Sequence, residues 1–87
     1  MPIIFSDDAW RQYVLWQSRD KKTLRKINRL LADIDRNGHR GIGKTEQLRH
    51  NLSGLWSKRI DEKNRLIYRI NGEGVLEVVS CEGHYDE

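Results

Sequence analysis

Halfway along the chain the spacing of apolar residues changes from a helical period to a strand period, which limits the fold more than any other feature. Trp10, Tyr13, Val14 and Gln17 recur at helical spacing, with Ala9 and Trp16 flanking that stripe. Ser6 is placed to cap this helix, with Asp7 and Asp8 in its first turn, where the helix dipole favours acids. Asp20 can cap a second helix, in which Leu24, Ile27, Leu30, Leu31 and Ile34 form an apolar stripe. The other face of that helix holds Lys21, Lys22, Arg25, Lys26 and Arg29, and Asn37-Gly38 ends it. With one or two residues between them, the helices form a hairpin.

The rest of the chain alternates. Residues 2–5, 55–60, 65–70 and 75–81 read as short strands, and a shorter one is expected around Glu46–Arg49. Asp61-Glu62-Lys63-Asn64 and Asn71-Gly72-Glu73-Gly74 are turn-rich separators, so the last three runs predict an antiparallel meander. In 65–70, Leu66, Tyr68 and Ile70 share one face, while Arg65, Ile67 and Arg69 share the other. The helices need an apolar surface to cover, and the Leu66 face supplies it. Arg65 and Arg69 are thereby expected on the open face. The expected fold is α+β, a helical hairpin on a twisted, mainly antiparallel sheet in the order β-α-α-β-β-β-β, with residues 1–87 forming one domain.

Composition narrows the function. Eighty-seven residues leave room for one small core, and 37% hydrophobic with 33% charged residues suits neither a disordered chain nor a membrane protein. Ile3-Ile4-Phe5, the longest uncharged apolar run near the start, is far short of a signal-peptide core or a spanning helix. A single cysteine, Cys81, excludes an internal disulfide framework and fits a reducing cytoplasm. With only three histidines beside it, no standard structural zinc site is expected. Charge is distributed unevenly: residues 19–50 carry a net +6 and 51–70 a net +3, against −1 for 1–18 and −5 for 71–87. A basic middle of this kind suits a polyanion such as RNA or DNA, or an acidic protein segment.

Three side chains combine into a chemistry. Glu46 lies in a basic loop, Gly43-Lys44-Thr45-Glu46, where the ordinary role is a surface ion pair. Arg65 is a strand arginine whose ordinary role is a cross-strand ion pair with Glu77, and His84 follows Gly83 in the tail. A carboxylate, an arginine and a histidine are what RNA cleavage by the 2′-hydroxyl requires. The carboxylate takes the hydroxyl proton, the arginine stabilises the phosphorane-like transition state, and the histidine protonates the departing 5′-oxygen. DNA lacks that nucleophile. Tyr85 is placed to stack on a splayed base.

Glu46-Gln47-Leu48-Arg49-His50-Asn51-Leu52-Ser53-Gly54-Leu55-Trp56-Ser57-Lys58-Arg59-Ile60, then Asn64-Arg65-Leu66-Ile67-Tyr68, then His84-Tyr85, closely resemble the YoeB (Txe) toxins of the RelE/ParE superfamily. The resemblance runs essentially end to end, taking in the opening strand, Trp10, Tyr13, Trp16 and the helix pair. It implies a RelE-like fold and a ribosome-dependent mRNA endonuclease that cuts in the decoding A site, needs no metal or organic cofactor, and is silenced by a cognate antitoxin of the YefM/Axe kind. It also implies that ribosomal RNA is gripped by the basic second helix and the loop after it, and that operator DNA is bound through the antitoxin complex. By position, Glu46 matches the family's general base, His84 its general acid and Arg65 its phosphate-stabilising arginine. Arg59 falls on a phosphate-contacting position and Tyr85 on the terminal aromatic. Arg49 stands where relatives carry lysine, which keeps the charge but changes the hydrogen-bond geometry, and Lys44 lies at a basic loop position. Glu82 and Gly83 depart from the basic or aromatic residues common before the final pair, and Asp86 and Glu87 extend beyond it, adding negative charge that opposes an incoming phosphate.

The remaining aromatic and titratable residues take plainer readings. Trp10, Trp16 and Trp56 are expected to pack in the core or at a subunit interface, which leaves room for a homodimer. His50 is expected to hydrogen-bond at the turn before Ser53, His39 to be a solvated loop residue, and Cys81 to pack in a strand. Two rival functions share this scaffold: a ParE-like gyrase poison without a nuclease site, and a non-catalytic corepressor acting with its antitoxin on operator DNA. Glu46, Arg65 and His84 together argue against the first.

Overall fold

The computed structural model describes residues 1–84. After β1 (Ile3–Phe5), Ser6 starts α1 (Asp7–Arg19) by accepting the Ala9 N–H on its hydroxyl at 3.0 Å. Asp20 then closes one helix and opens the next. Its backbone N–H donates to Trp16 O, while its carboxylate accepts from Lys22 N at 3.0 Å and from the Thr23 hydroxyl at 2.8 Å at the start of α2 (Lys21–Asn37). The Thr23 hydroxyl is the main reason that the Asp20 carboxyl sits below its ordinary pKa. Gly38 ends α2 at φ +63°, a left-handed backbone that favours glycine.

The remaining elements are β2 (Glu46–Gln47), a 3-10 turn at His50–Leu52, β3 (Trp56–Arg59), β4 (Arg65–Ile70) and β5 (Leu76–Ser80). They form one sheet in the order β1-β5-β4-β3-β2, the α+β architecture expected. β3, β4 and β5 are the predicted meander, and β2 adds antiparallel to β3. β1 joins β5 in parallel, with the helical hairpin lying in the crossover. The strand expected over Glu46–Arg49 stops at Gln47, because the chain turns into the 3-10 segment.

Both helices cover one face of the sheet. Trp16, Ile27, Leu30 and Ile34 meet Leu66, Tyr68, Leu76 and Val78 in a single core. The indole Nε1 of Trp16 donates to Cys81 O at 3.0 Å, so its burial leaves no orphan donor. Truncating Ile27, Leu30 or Ile34 to alanine should cost ~2–5 kcal/mol, the lost transfer energy plus a cavity. Among the described residues no helix is long and apolar enough to cross a membrane.

Three details of packing differ from expectation. In α1 the inward residues are Ala9, Tyr13 and Trp16, whereas Trp10 is 54% exposed and Val14 and Gln17 also face outward. Two helical stripes compete on this amphipathic segment, and the small Ala9 lets the backbone approach the sheet. In β4, Ile67 is only 1% exposed although it alternates with the core residues, and with Leu48 it lies outside the main core. The second face is therefore not open at its centre. Finally, Arg65 does not pair with Glu77. The register sets Arg69 opposite Glu77, and Arg69 Nε donates to its carboxylate at 2.7 Å. That bond, with a second from Asn71, depresses the Glu77 pKa.

Candidate functional site

Strand register assembles most of the site. Glu46 of β2 pairs with Ser57 of β3, and two residues further along β3 Arg59 pairs with Arg65 of β4. Paired residues and residues two apart project to the same face. Glu46, Arg59 and Arg65 therefore share the face turned away from the helices, while Lys58 and Leu66 point the other way into the interior. Directly opposed arginines repel each other across an antiparallel pair, a cost that a bound anion would offset. The Arg59 side chain is exposed and makes no hydrogen bond or ion pair among the described residues. Arg65 is half-buried and held from behind: its Nη1 donates to Asp61 O at 2.6 Å and Asn64 O at 3.1 Å. Burial pushes the Asp61 carboxyl upward, yet bonds from Asn64 and Lys63 and the Arg65 charge hold it below its ordinary pKa.

The tail is fastened to the same place. Gly83 accepts the Arg65 backbone N–H at 2.8 Å and donates its own N–H to Asn64 Oδ1 at 2.9 Å. His84, the next residue, thus leaves the sheet beside Arg65 with an exposed side chain. Glu46 also lines an open polar cavity of about 690 Å³ together with Gln47, Leu48, Arg49, His50 and Ser53. Arg49 therefore lines the same cavity as Glu46. Lys44 is exposed two residues before Glu46, with a left-handed backbone at φ +47° that is strained for a non-glycine residue. Tyr85, Asp86 and Glu87 lie outside the described residues. No group of three or more His, Cys, Asp or Glu side chains able to hold a metal occurs among the described residues.

Sequence reasoning missed the supports of this site. Lys58 sits beneath it, and its inward alternation with Trp56 and Ile60 was the available signal. Asn64, read only as a turn residue, binds the Asp61 carboxylate and fastens Gly83. His39 is not a solvated loop residue: its ring stacks on Trp56 with centroids 3.9 Å apart, and Nδ1 lies 2.9 Å from the Tyr68 hydroxyl. Burial first, then the Lys58 charge, lowers the His39 pKa, so the neutral ring is favoured. Burial in turn raises the pKa of Tyr68. His50 does close the turn before Ser53, through the Ser53 N–H to His50 O at 3.0 Å. Cys81 packs as expected, fully buried just past β5, and burial pushes its thiol pKa up to about 11. A second cavity of about 660 Å³ runs along α2, lined by Lys22, Arg25, Lys26 and Arg29 together with Asp20 and Asp61.

Comparison with known proteins places this geometry. Residues 5–85 match the family described as the YoeB-like toxin of bacterial type II toxin-antitoxin systems. Toxin YoeB of Escherichia coli K12 is 44% identical over 85 residues, 98% of this chain and all of the relative, and Toxin YoeB of Synechocystis is 45% identical over 98% of each chain. Among solved structures, a YoeB/ParE toxin from Agrobacterium tumefaciens superposes with a TM-score of 0.94 at 37% identity, covering 98% of this chain and 100% of that one. The Staphylococcus aureus YoeB in a heterotetrameric YoeB-YefM complex superposes with a TM-score of 0.90 at 44% identity over 98% of each chain. YafQ of E. coli, at 19% identity and a TM-score of 0.77 over 94% of this chain and 91% of its own, shares the fold. With a family match along nearly the whole chain and relatives above 40% identity, the chain belongs to the YoeB-like toxins of bacterial type II toxin-antitoxin systems.

Proposed function

We propose that this toxin is a ribosome-dependent mRNA endoribonuclease that cuts translated mRNA in the A site. The observation that carries the reading is one sheet face bearing Glu46, Arg59 and Arg65 in register, with Gly83, the residue before His84, bonded to Arg65. Glu46 takes the proton of the 2′-hydroxyl at the scissile phosphate, and the oxygen attacks the phosphorus. Arg65, its guanidinium already held by two carbonyls, stabilises the negative charge that grows on the phosphorane-like transition state. His84 gives a proton to the 5′-oxygen as it leaves. The products are a 2′,3′-cyclic phosphate and a 5′-hydroxyl. Arg59, Arg49 and Lys44 hold flanking phosphates, and Tyr85 stacks on a base. Glu46, Arg65 and His84 supply base, charge stabilisation and acid, so in this reading the chemical step uses no metal or organic cofactor.

Residues 1–87 act as one toxin domain in the cytoplasm. The basic face of α2 meets ribosomal RNA with salt-dependent affinity. A YefM-like antitoxin neutralises the toxin, as the S. aureus YoeB-YefM complex suggests, and the pair binds operator DNA. The exposed Ile4, Trp10 and Leu15 suit a homodimer contact, in line with the solved YoeB dimer of S. aureus.

The test is single-turnover cleavage on programmed ribosomes, with magnesium replaced by cobalt hexammine. Cleavage should persist, and a single 2′-deoxynucleotide at the scissile position should abolish it. Cleavage of the deoxy substrate, or inhibition of gyrase supercoiling without any mRNA cut, overturns the reading.

A further inference from the structure

Among the described residues Lys58 is the one charged side chain that is fully buried, at 0% exposure. Its ammonium has three donors and meets three acceptors: His39 O at 3.2 Å, Ile42 O at 3.0 Å and the Thr45 hydroxyl at 2.6 Å. All three belong to the segment that joins α2 to β2. Asp33 of α2 grips the same segment from the other side, accepting the Ile42 N–H at 3.0 Å while Asn37 steadies its second oxygen at 2.8 Å. Burial lowers the Lys58 pKa and the Asp33 charge opposes that shift. A third fastening runs from the Arg59 N–H to Gly43 O at 2.5 Å.

These contacts converge on one consequence. β2 has two residues, so strand pairing alone does little to fix the direction in which Glu46 leaves the sheet. Thr45, the residue before Glu46, is held by the Lys58 ammonium, and Ser57, beside Lys58 in β3, is the partner of Glu46. We propose that Lys58 is a positioning residue for Glu46: the buried ammonium fixes the 38–45 segment and thereby sets the carboxylate against the scissile nucleotide. The inference rests on Glu46 being the general base.

The experiment is a double-mutant cycle read by single-turnover cleavage on programmed ribosomes, well below each variant's melting temperature, with ribosome binding measured separately. Lys58→Met keeps the length and removes the charge and donors. It should slow cleavage by roughly 10–100-fold, the scale of a small misplacement of a reacting group, with ribosome affinity unchanged. In a Glu46→Gln background it should slow the residual rate by less than about 3-fold, because nothing is left to position. Thr45→Val, which deletes only the hydroxyl acceptor and serves if Lys58→Met does not fold, should show a smaller loss with the same non-additivity. An unchanged rate in the folded variants, or an equal loss in both backgrounds, overturns the positioning role. If Glu46→Gln cleaves like the wild type, the general-base reading itself fails, a separate result in the same assay, and the positioning role falls with it.

Discussion

The backbone N–H of Arg65 donates to the carbonyl of Gly83 at 2.8 Å, and this bond joins the middle of the sheet to the tail. β5 ends at Ser80, yet the chain continues beside β4 long enough to reach Arg65. Asn64 completes the clasp by accepting the Gly83 N–H. A histidine that sequence alone would leave in a solvated end is thereby delivered to a strand arginine.

That clasp predicts an effect at a distance from the chemistry. Asn64→Ala removes the Gly83 acceptor and the Asn64–Asp61 bonds while leaving the side chains of Arg65, Glu46 and His84 unaltered in kind. Single-turnover cleavage should fall by ~10–100-fold through misplacement of His84. Hydrogen exchange at the Gly83 amide should accelerate in parallel, and unchanged exchange with a lowered rate would assign the loss to another cause.

The acid and base are separable by leaving group. Glu46→Gln and His84→Gln should each slow cleavage by roughly 10²–10⁴ with ribosome binding little changed. A 5′-phosphorothiolate substrate expels sulfur, which leaves without a proton. It should largely rescue His84→Gln and not Glu46→Gln; equal rescue of both would show that the roles are misassigned.

Two arginines two turns of the pleat apart should behave differently. Arg65→Ala should lower cleavage at least as far as the loss of the base, because its charge acts chiefly in the transition state. Arg69→Ala loses an exposed ion pair with Glu77, worth about 0–1 kcal/mol of stability, and should leave the cleavage rate as it is. Rates and melting temperatures measured on the same preparations check both.

Stability should fall on mild acidification, with His39 as one source. Its pKa is lowered from 6.5 in the folded chain, so the unfolded chain takes up a proton first. The His39 contribution is complete above about pH 6.5 and is lost as pH falls through the lower folded value. Tyr68, whose hydroxyl lies 2.9 Å from Nδ1, and the Lys58 ammonium, which repels an imidazolium, are the groups that face it. In His39→Phe the drop in melting temperature between pH 7.5 and 5.5 should shrink. A drop as large as in the wild type would place its origin elsewhere.

Gly43 should resist substitution. Its backbone lies at φ +96°, and an added Cβ would fall 2.8 Å from Leu30 Cδ2 and 3.2 Å from Lys58 Cβ, both in buried side chains. Gly43→Ala should destabilise by roughly 1–3 kcal/mol, measured by denaturant unfolding.

What the sequence determined by itself is what local interactions decide. Ser6, Asp20 and Gly38 mark the helix ends because the bonds by which they cap reach no more than four residues, and the inner stripe of α2 follows from its period. Asp61–Asn64 and Asn71–Gly74 turn because their own side chains bind their own backbones, which makes the meander legible. Glu46, Arg65 and His84 stood out by residue type and by resemblance, but no spacing along the chain joins them. Only the tertiary structure decided that Glu46 and Arg65 share one sheet face and that the residue before His84 is bonded to Arg65, because strand register and the Arg65–Gly83 bond join segments far apart in sequence. The same cause explains the misplaced details. A bulge at Ile67/Tyr68 and the pairing of Arg69 with Glu77 depend on how β4 slides against β5, where one residue of slip exchanges the two faces. Lys58 shows no sign of burial beyond its alternation with Trp56 and Ile60, and His39 shows none. A lysine becomes an interior residue only when a folded loop brings three oxygens to its ammonium, and a histidine becomes one when Trp56 and Tyr68 arrive from other strands.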